Sequence, residues 1–267
     1  MNVRKTTGKV ILAGAGPGDA ELITLKLQKR LAEADVVISD RLVNPAIVET
    51  HARKDVQLII AGKQGFNEAS VSQQEISALI VEHALAGKTV LRLKGGDVAF
   101  FSNVLDELIA VEQHQIPFEI IPGITAASGA SAYAGIPLTA RAYAQGVQFI
   151  TFNPNSYYSP DKWKELARAN DTLVFYMAAK NITDLAELLL RYSRKPHTPM
   201  AVIEQATTDH QQVHITTLRN CAVDFAGRQF SSPSLIIIGE VVNLHRSFNW
   251  HNNTEGAGSI FRELVTK

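Results

Sequence analysis

The sequence has little of what marks a disulfide-stabilised, metal-binding or membrane protein. Cys221 is the only cysteine among 267 residues, which excludes an intrachain disulfide and argues against a thiolate metal site. His210 and His214 flank a β-prone run rather than sharing a helix face, so we predict no metal site. No apolar stretch is long enough to span a bilayer, and the run before Gly14 is too short for a signal peptide. We therefore expect a cytoplasmic protein that does not bind membranes.

Charge of either sign is not in excess. The chain has 26 Lys and Arg residues against 26 Asp and Glu residues, so its formal net charge is zero. A neutral chain has no overall field that attracts nucleic acid, and we predict no nucleic-acid partner.

Buried strands alternate with amphipathic helices over the first 113 residues, which predicts an α/β fold. Short apolar runs that stop at glycine or aspartate predict parallel strands over 9–13, 35–39, 55–61 and 89–93. Helical spacing of apolar residues predicts helices over 24–34, 72–85 and 103–113, with Thr24 as the first N-cap. The N-terminal sheet should therefore be mostly parallel.

The Pro-Gly pair at 122–123 indicates a boundary between two lobes. Beyond it we predict a helix over 125–133 and strands over 148–152, 172–176, 200–204, 213–217 and 234–238. Irregular helix spacing and Thr-rich runs favour a mixed sheet there. The predicted organisation is an N-terminal lobe (1–122), a C-terminal lobe (123–246) and a polar tail (247–267) with a short helix near Ile260.

Glycine-rich or acidic residues follow three of the predicted strands. They are the motif Gly14-Ala-Gly-Pro-Gly-Asp19, the carboxylate Asp40 and the turn Gly95-Gly96-Asp97. Ligands of α/β sheets bind beyond the carboxyl ends of the strands, so these residues form the candidate site.

The motif at 14–19 has two interpretations. With Asp40 about 20 residues further on, it approaches the dinucleotide fingerprint of an NAD-dependent oxidoreductase. Asp19 stands where the third glycine belongs, and Pro17 delays the following helix. The alternative is a tight turn that only glycine tolerates, with Asp40 in a packing or capping role.

The ordered set of motifs resembles the tetrapyrrole methylase family, in particular its members that C-methylate uroporphyrinogen III. The resemblance runs from about Lys9 to Leu244. The matching stretches include Gly14-Ala-Gly-Pro-Gly-Asp19, the segment 34–43, Gly62-Lys63, Val90-Leu-Arg-Leu-Lys-Gly-Gly-Asp97, Ile121-Pro-Gly-Ile-Thr-Ala126, Tyr133-Ala-Gly-Ile-Pro-Leu-Thr139 and Thr172-Leu-Val-Phe-Tyr-Met177.

This resemblance implies a homodimer of two-lobed subunits that hold S-adenosyl-L-methionine in the cleft between the lobes and release S-adenosyl-L-homocysteine. It assigns Asp40 as proton acceptor and Lys63 as proton donor. The implied cofactor contacts are Pro17, Gly95, Gly96, Asp97, Phe100, Thr125, Ala126, Met177 and Ala206.

The implied reaction is double methylation of uroporphyrinogen III at C2 and C7, giving precorrin-2 for sirohaem or cobalamin. A pyrrole carbon attacks the sulfonium methyl group, so the protein mainly positions the reactants and moves protons. The many carboxylates of this tetrapyrrole substrate require cations. The candidates are Arg41, Arg92, Lys94 and Arg141, of which Arg92 and Lys94 share one face of a predicted strand.

The sequence departs from the family after Asp97. Where the family has proline, aromatic residues and Gly-Arg-Gly, this chain has Val98-Ala-Phe-Phe-Ser-Asn103. Three alternatives therefore stay open: another precorrin acceptor, a non-tetrapyrrole acceptor as in diphthine synthase or ribosomal RNA 2′-O-methyltransferases, and a binding protein without turnover.

Overall fold

The structure is a computed structural model that describes residues 7–61, 72–153, 158–252 and 258–261. The chain divides into two compact units. Unit 1 comprises Met1–Ala126 and Ile260–Lys267, and unit 2 comprises Ala127–Ser259.

Unit 1 is built on a five-stranded sheet. Its strands are β1 (Lys9–Gly14), β2 (Val36–Ser39), β3 (Gln57–Ile60), β4 (Thr89–Lys94) and β5 (Phe118–Ile121). Their spatial order is β3-β2-β4-β1-β5, and every pairing is parallel. This confirms the predicted parallel sheet. It also brings the carboxyl ends of β2, β4, β1 and β5 to one edge.

Helices cover both faces of the first sheet. They are α1 (Leu25–Glu33), α2 (Pro45–His51), α3 (Gln73–Leu85) and α4 (Val104–Gln113). The next helix, α5 (Ala126–Tyr133), begins at the last residue of unit 1 and otherwise belongs to unit 2. Side chains of β1 alternate between the faces: Val10 packs with α3 and α4, and Ile11 packs with α1 and α2. The predicted N-cap Thr24 accepts a hydrogen bond from the backbone of Leu27.

Unit 2 contains a mixed sheet, as predicted. Its strands are β6 (Val147–Thr151), β7 (Thr172–Tyr176), β8 (Pro199–Glu204), β9 (Gln212–Thr217) and β10 (Ser234–Ile238). The order is β6-β7-β10-β8-β9, with β6 and β7 parallel and the other pairs antiparallel. Because β7 and β8 both run opposite to β10, their carboxyl ends lie at the same edge.

The second sheet is also covered on both faces. Its helices are α6 (Pro160–Arg168), α7 (Ile182–Arg191), α8 (Cys221–Asp224) and α9 (His245–Phe248). Along β10, Ile236 packs with α6 and α7, and Ile237 packs with α5. No helix in the described part of the chain is long and apolar enough to cross a membrane.

Five helices of the described residues were not predicted: α2, α6, α7, α8 and α9. Two of them carry cap residues that the sequence displays, because α2 follows Asn44-Pro45 and α6 follows Ser159-Pro160. The predicted helix near Ile260 is absent from residues 258–261, and its remainder lies outside the described residues.

Candidate functional site

The loops that follow β1 and β4 are hydrogen-bonded to each other. The backbone N–H of Gly16 donates to Gly96 O at 3.0 Å, and that of Gly96 donates to Gly16 O at 2.8 Å. A Cβ atom on Gly14 would lie 2.6 Å from the backbone oxygen of Gly96, so no larger residue fits at the end of β1. Close backbone contact therefore explains Gly14, and the left-handed φ of 69° explains Gly96.

The carboxylate of Asp97 joins the loop after β4 to the loop after β5. Its Oδ1 accepts from the backbone N–H of Ala99 at 2.7 Å, and its Oδ2 accepts from that of Gly123 at 2.8 Å. Asp97 is only 7% exposed. Three adjacent loops, after β4, β1 and β5, thus form one connected surface.

Seven predicted cofactor contacts belong to these loops of unit 1. They are Pro17, Gly95, Gly96, Asp97, Phe100, Thr125 and Ala126. A Cβ atom on Gly96 would lie 3.5 Å from the backbone nitrogen of Ala126, so the loop after β4 runs directly beside the start of α5. Phe100 is 42% exposed. The structure therefore places these seven residues at the carboxyl edge of the first sheet.

The other two predicted cofactor contacts lie at strand ends of unit 2. Met177 follows β7 with a φ of 57° and a side chain that is 65% exposed. Ala206 follows β8 between Gln205 and Thr207, which have φ values of 46° and 69°. Left-handed backbone costs energy in such residues and concentrates at ligand-binding sites. The carboxyl edge of the second sheet therefore also has the properties of a binding site.

Asp40 stands at the carboxyl end of β2, next to β4. Its backbone N–H donates to Leu93 O at 2.9 Å, and its Oδ1 accepts from Nη2 of Arg92. The side chain remains 30% exposed, so it is both paired with a cation and open to solvent. The other predicted acid-base residue, Lys63, lies outside the described residues.

Arg92 and Lys94 belong to a buried ion cluster. As predicted, both lie on one face of β4, and each donates to Oε1 of Glu107, from Arg92 Nε at 2.9 Å and from Lys94 Nζ at 2.9 Å. The exposed fractions of the three side chains are 2%, 3% and 0%. β4 is the central strand of the sheet, which explains why both cations are buried.

Burial and neighbouring charges shift the pKa values of the two cations in this cluster. Burial lowers the pKa of Lys94, and the neighbouring charge of Arg92 lowers it further. Burial also opposes the charge of Arg92, but Asp40 and Glu107 outweigh it and raise the pKa of Arg92 above its ordinary value. Arg92 is therefore always charged.

The predicted substrate-binding cations differ in accessibility. Arg92 and Lys94 have internal carboxylate partners, whereas Arg41 is partly buried and Arg141 is exposed. Burial lowers the pKa of Arg41. Arg41 lies beside Asp40 in unit 1, and Arg141 lies in unit 2. Arg41 and Arg141 are therefore the more exposed two of the four cations.

Glu107 was missed by the sequence analysis, although the sequence contained a signal for it. It lies three residues after Val104 and four before Val111, on the apolar stripe of α4. A carboxylate on a buried stripe requires a buried partner, which Arg92 and Lys94 supply.

Known proteins with similar sequences and structures were found. A family model described as Tetrapyrrole (Corrin/Porphyrin) Methylases matches residues 9–222. Siroheme synthase 1 of Klebsiella pneumoniae subsp. pneumoniae is 43% identical over 263 residues, which are 98% of this chain and 55% of that protein. This chain spans about half the length of the curated relatives that it matches.

Solved structures are also similar. The uroporphyrin-III C-methyl transferase from Thermus thermophilus, complexed with S-adenyl homocysteine, has a TM-score of 0.74 and 33% identity, covering 89% of this chain and 94% of that one. A cobalt precorrin-4 methyltransferase has a TM-score of 0.78 at 22% identity, covering 88% of this chain and 95% of that one. At this lower identity the similarity shows the fold alone.

Proposed function

Because this chain belongs to the tetrapyrrole methylase family, we propose that it methylates uroporphyrinogen III at C2 and C7, using S-adenosylmethionine, to give precorrin-2. The bacterial relative complexed with S-adenyl homocysteine supports the choice of cofactor. The relatives named siroheme synthase support a role in sirohaem biosynthesis. The observation that carries the proposal is the connected surface formed by the three loops after β4, β1 and β5.

The residues of this surface fit a nucleoside cofactor. The glycines after β1 and β4 expose backbone that side chains would cover, and Asp97 fixes the loop that contains Gly95 and Gly96. In unit 2, the side chain of Met177 is exposed, and Ala206 lies between two residues with left-handed backbone. When bound, S-adenosylmethionine supplies an electrophilic methyl group on its sulfonium.

The chain's own acid-base work falls on Asp40. After a ring carbon is methylated, the tetrapyrrole must lose a proton, and an ionised carboxylate accepts it. Arg92 holds Asp40 in one position by a charged hydrogen bond. We propose Lys63 as the proton donor on the resemblance alone.

Substrate carboxylates need accessible cations, and we propose Arg41 and Arg141 for this role. Arg92 and Lys94 act within the fold instead, because their charges are already matched by Asp40 and Glu107. We also propose that the protein is a cytoplasmic homodimer, as the resemblance implies. Light scattering on the purified protein gives its molar mass and so shows whether it is a dimer.

The proposal is tested by methyl transfer. Purified protein, S-adenosylmethionine with a labelled methyl group and uroporphyrinogen III should give a product with the mass of two added methyl groups. Absence of labelled tetrapyrrole would refute the proposal. Methylation of a different precorrin, but not of uroporphyrinogen III, would favour the alternative in which the acceptor is another precorrin. The altered loop, where Phe100 and Phe101 are exposed, is the reason to test this acceptor first.

Matched variants test the proton-transfer roles. We expect Asp40→Asn to lose methyl transfer by about 100-fold or more, since general base catalysis contributes that much. Lys63→Met should lose activity similarly. The controls are Asp106→Asn and Lys54→Met, both at exposed positions. Full activity in both test variants would remove the assigned roles.

A further inference from the structure

Glu107 is a fully buried carboxylate that accepts hydrogen bonds from three side chains through one oxygen. Its Oε1 receives Arg92 Nε at 2.9 Å, Lys94 Nζ at 2.9 Å and Gln73 Nε2 at 3.2 Å. Its Oε2 is buried and has no hydrogen-bond partner in the structure. Such an arrangement is costly, since a buried carboxylate oxygen gains stability only from its partners.

Arg92 is held on several sides at once. Its Nε donates to Glu107, and its Nη1 donates to the backbone oxygens of Ile38 and Leu93 at 3.2 Å each. These bonds leave Nη2 directed at Asp40. Because the guanidinium is planar and rigid, fixing Nε and Nη1 fixes the direction of Nη2.

The charges in the cluster balance. Arg92 and Lys94 oppose Asp40 and Glu107, and three of these four side chains are almost completely buried. Without Glu107, the uncompensated positive charge of Arg92 and Lys94 would act on Asp40 alone. Arg92 would also lose the carboxylate that holds its Nε, so the direction of its Nη2 toward Asp40 would no longer be fixed.

We propose that Glu107 is a positioning residue for proton transfer at Asp40, which it controls through the guanidinium of Arg92. This inference rests on the proposed function. Glu107 does not touch the recess beside Asp40, whose lining includes Ser39, Glu49 and Ile60. The charged groups around Asp40 in the described residues include Arg92 on β4, Glu49 on α2 and the next residue, Arg41, and the charge of Lys94 also interacts with Asp40.

The experiment uses the full chain and two variants. Glu107→Gln removes the negative charge and keeps the shape of the side chain. The double variant Lys94→Met/Glu107→Gln removes one charge of each sign, so the buried cluster stays neutral and folding is protected. Glu112→Gln, on the exposed side of α4, is the matched control. The measurements are kcat and KM with uroporphyrinogen III between about pH 5 and 9, plus the dissociation constant of S-adenosylhomocysteine.

We expect both Glu107 variants to bind S-adenosylhomocysteine as tightly as the wild type and to keep its KM. Their kcat should fall by about tenfold or more, within the range of general acid-base effects. The fall in kcat should appear across the measured pH range, because a neutral amide holds the guanidinium of Arg92 less firmly than a carboxylate does. Glu107→Asp, which keeps the charge, should recover part of the rate.

The outcomes separate the inference from the proposed function. A wild-type protein that transfers no methyl group overturns both. An active wild type with a double variant of normal kcat and pH profile overturns only the inference, because charge balance is then all that Glu107 provides. Loss of folding in both variants would assign the cluster to stability and overturn it as well.

Discussion

Asp97 offers the sharpest test of how the loops at the carboxyl edge of unit 1 are held together. The change Asp97→Asn replaces one acceptor oxygen with an NH₂ group at a side chain that is only 7% exposed. One of the two backbone donors, Ala99 N–H or Gly123 N–H, then loses its acceptor and faces another donor. Leaving a buried donor unsatisfied costs about 1–3 kcal/mol, and the lost bonds were charge-assisted.

The expected result is an unfolding free energy lower by about 2 kcal/mol and an affinity for S-adenosylhomocysteine lower by about tenfold. The affinity falls because the ligand must then order the loop that contains Gly95 and Gly96. Unfolding should be followed by circular dichroism rather than by tryptophan fluorescence, because Trp163 and Trp250 both belong to unit 2. Calorimetry measures the affinity.

The control is Asp106→Asn, an equivalent change at an exposed residue in the first turn of α4. It should cost about 0.5 kcal/mol or less, the interaction of its charge with the helix terminus. If Asp97→Asn matches this control in both stability and affinity, then the two hydrogen bonds do not hold the loops, and our account of the surface is wrong.

Three further predictions follow from single contacts. Hydrogen bonds from Arg30 and Lys26 lower the pKa of Glu119 to about 2. The contribution of Glu119 to the free energy of unfolding should therefore be complete above about pH 4.5 and be lost as the pH falls toward 2. A carboxyl NMR titration that finds an ordinary pKa for Glu119 would contradict this. Burial raises the pKa of the Cys221 thiol to about 11, so a thiol reagent should label it only after denaturation. Gly14→Ala should destabilise the protein by about 1–3 kcal/mol in urea, because its Cβ would meet a backbone oxygen at 2.6 Å; an unchanged midpoint would show that the loops yield without cost.

Much of the fold could be predicted from local patterns. Thr24 caps α1 as expected, and Ser72 forms a capping box with Glu75 at the start of α3. The positions of β1, β2 and β4 follow from short apolar runs, because these strands are buried on both faces. The helices α2 and α6 were missed although Asn44-Pro45 and Ser159-Pro160 marked their starts.

The candidate site was predicted in part. Glycine motifs and Asp40 at strand ends were identified from the sequence, and the parallel sheet places them at one edge. The roles of Arg92 and Lys94 could not be predicted in this way. The sequence of a strand does not show whether its cations bind a substrate or a carboxylate elsewhere in the fold. The partner, Glu107, comes from a helix 13 residues beyond Lys94.

The sequence by itself determined where most strands and the helices α1, α3, α4 and α5 lie, where backbone must pass close to backbone, and which family the chain resembles. These properties depend on residue types and spacing along the chain, which are local. Only the tertiary structure decided that β4 is the central strand, that its two cations are buried against Glu107, and that one of them holds Asp40. Strand order and ion pairing join residues far apart in the chain, and their energies depend on burial, which no local pattern contains.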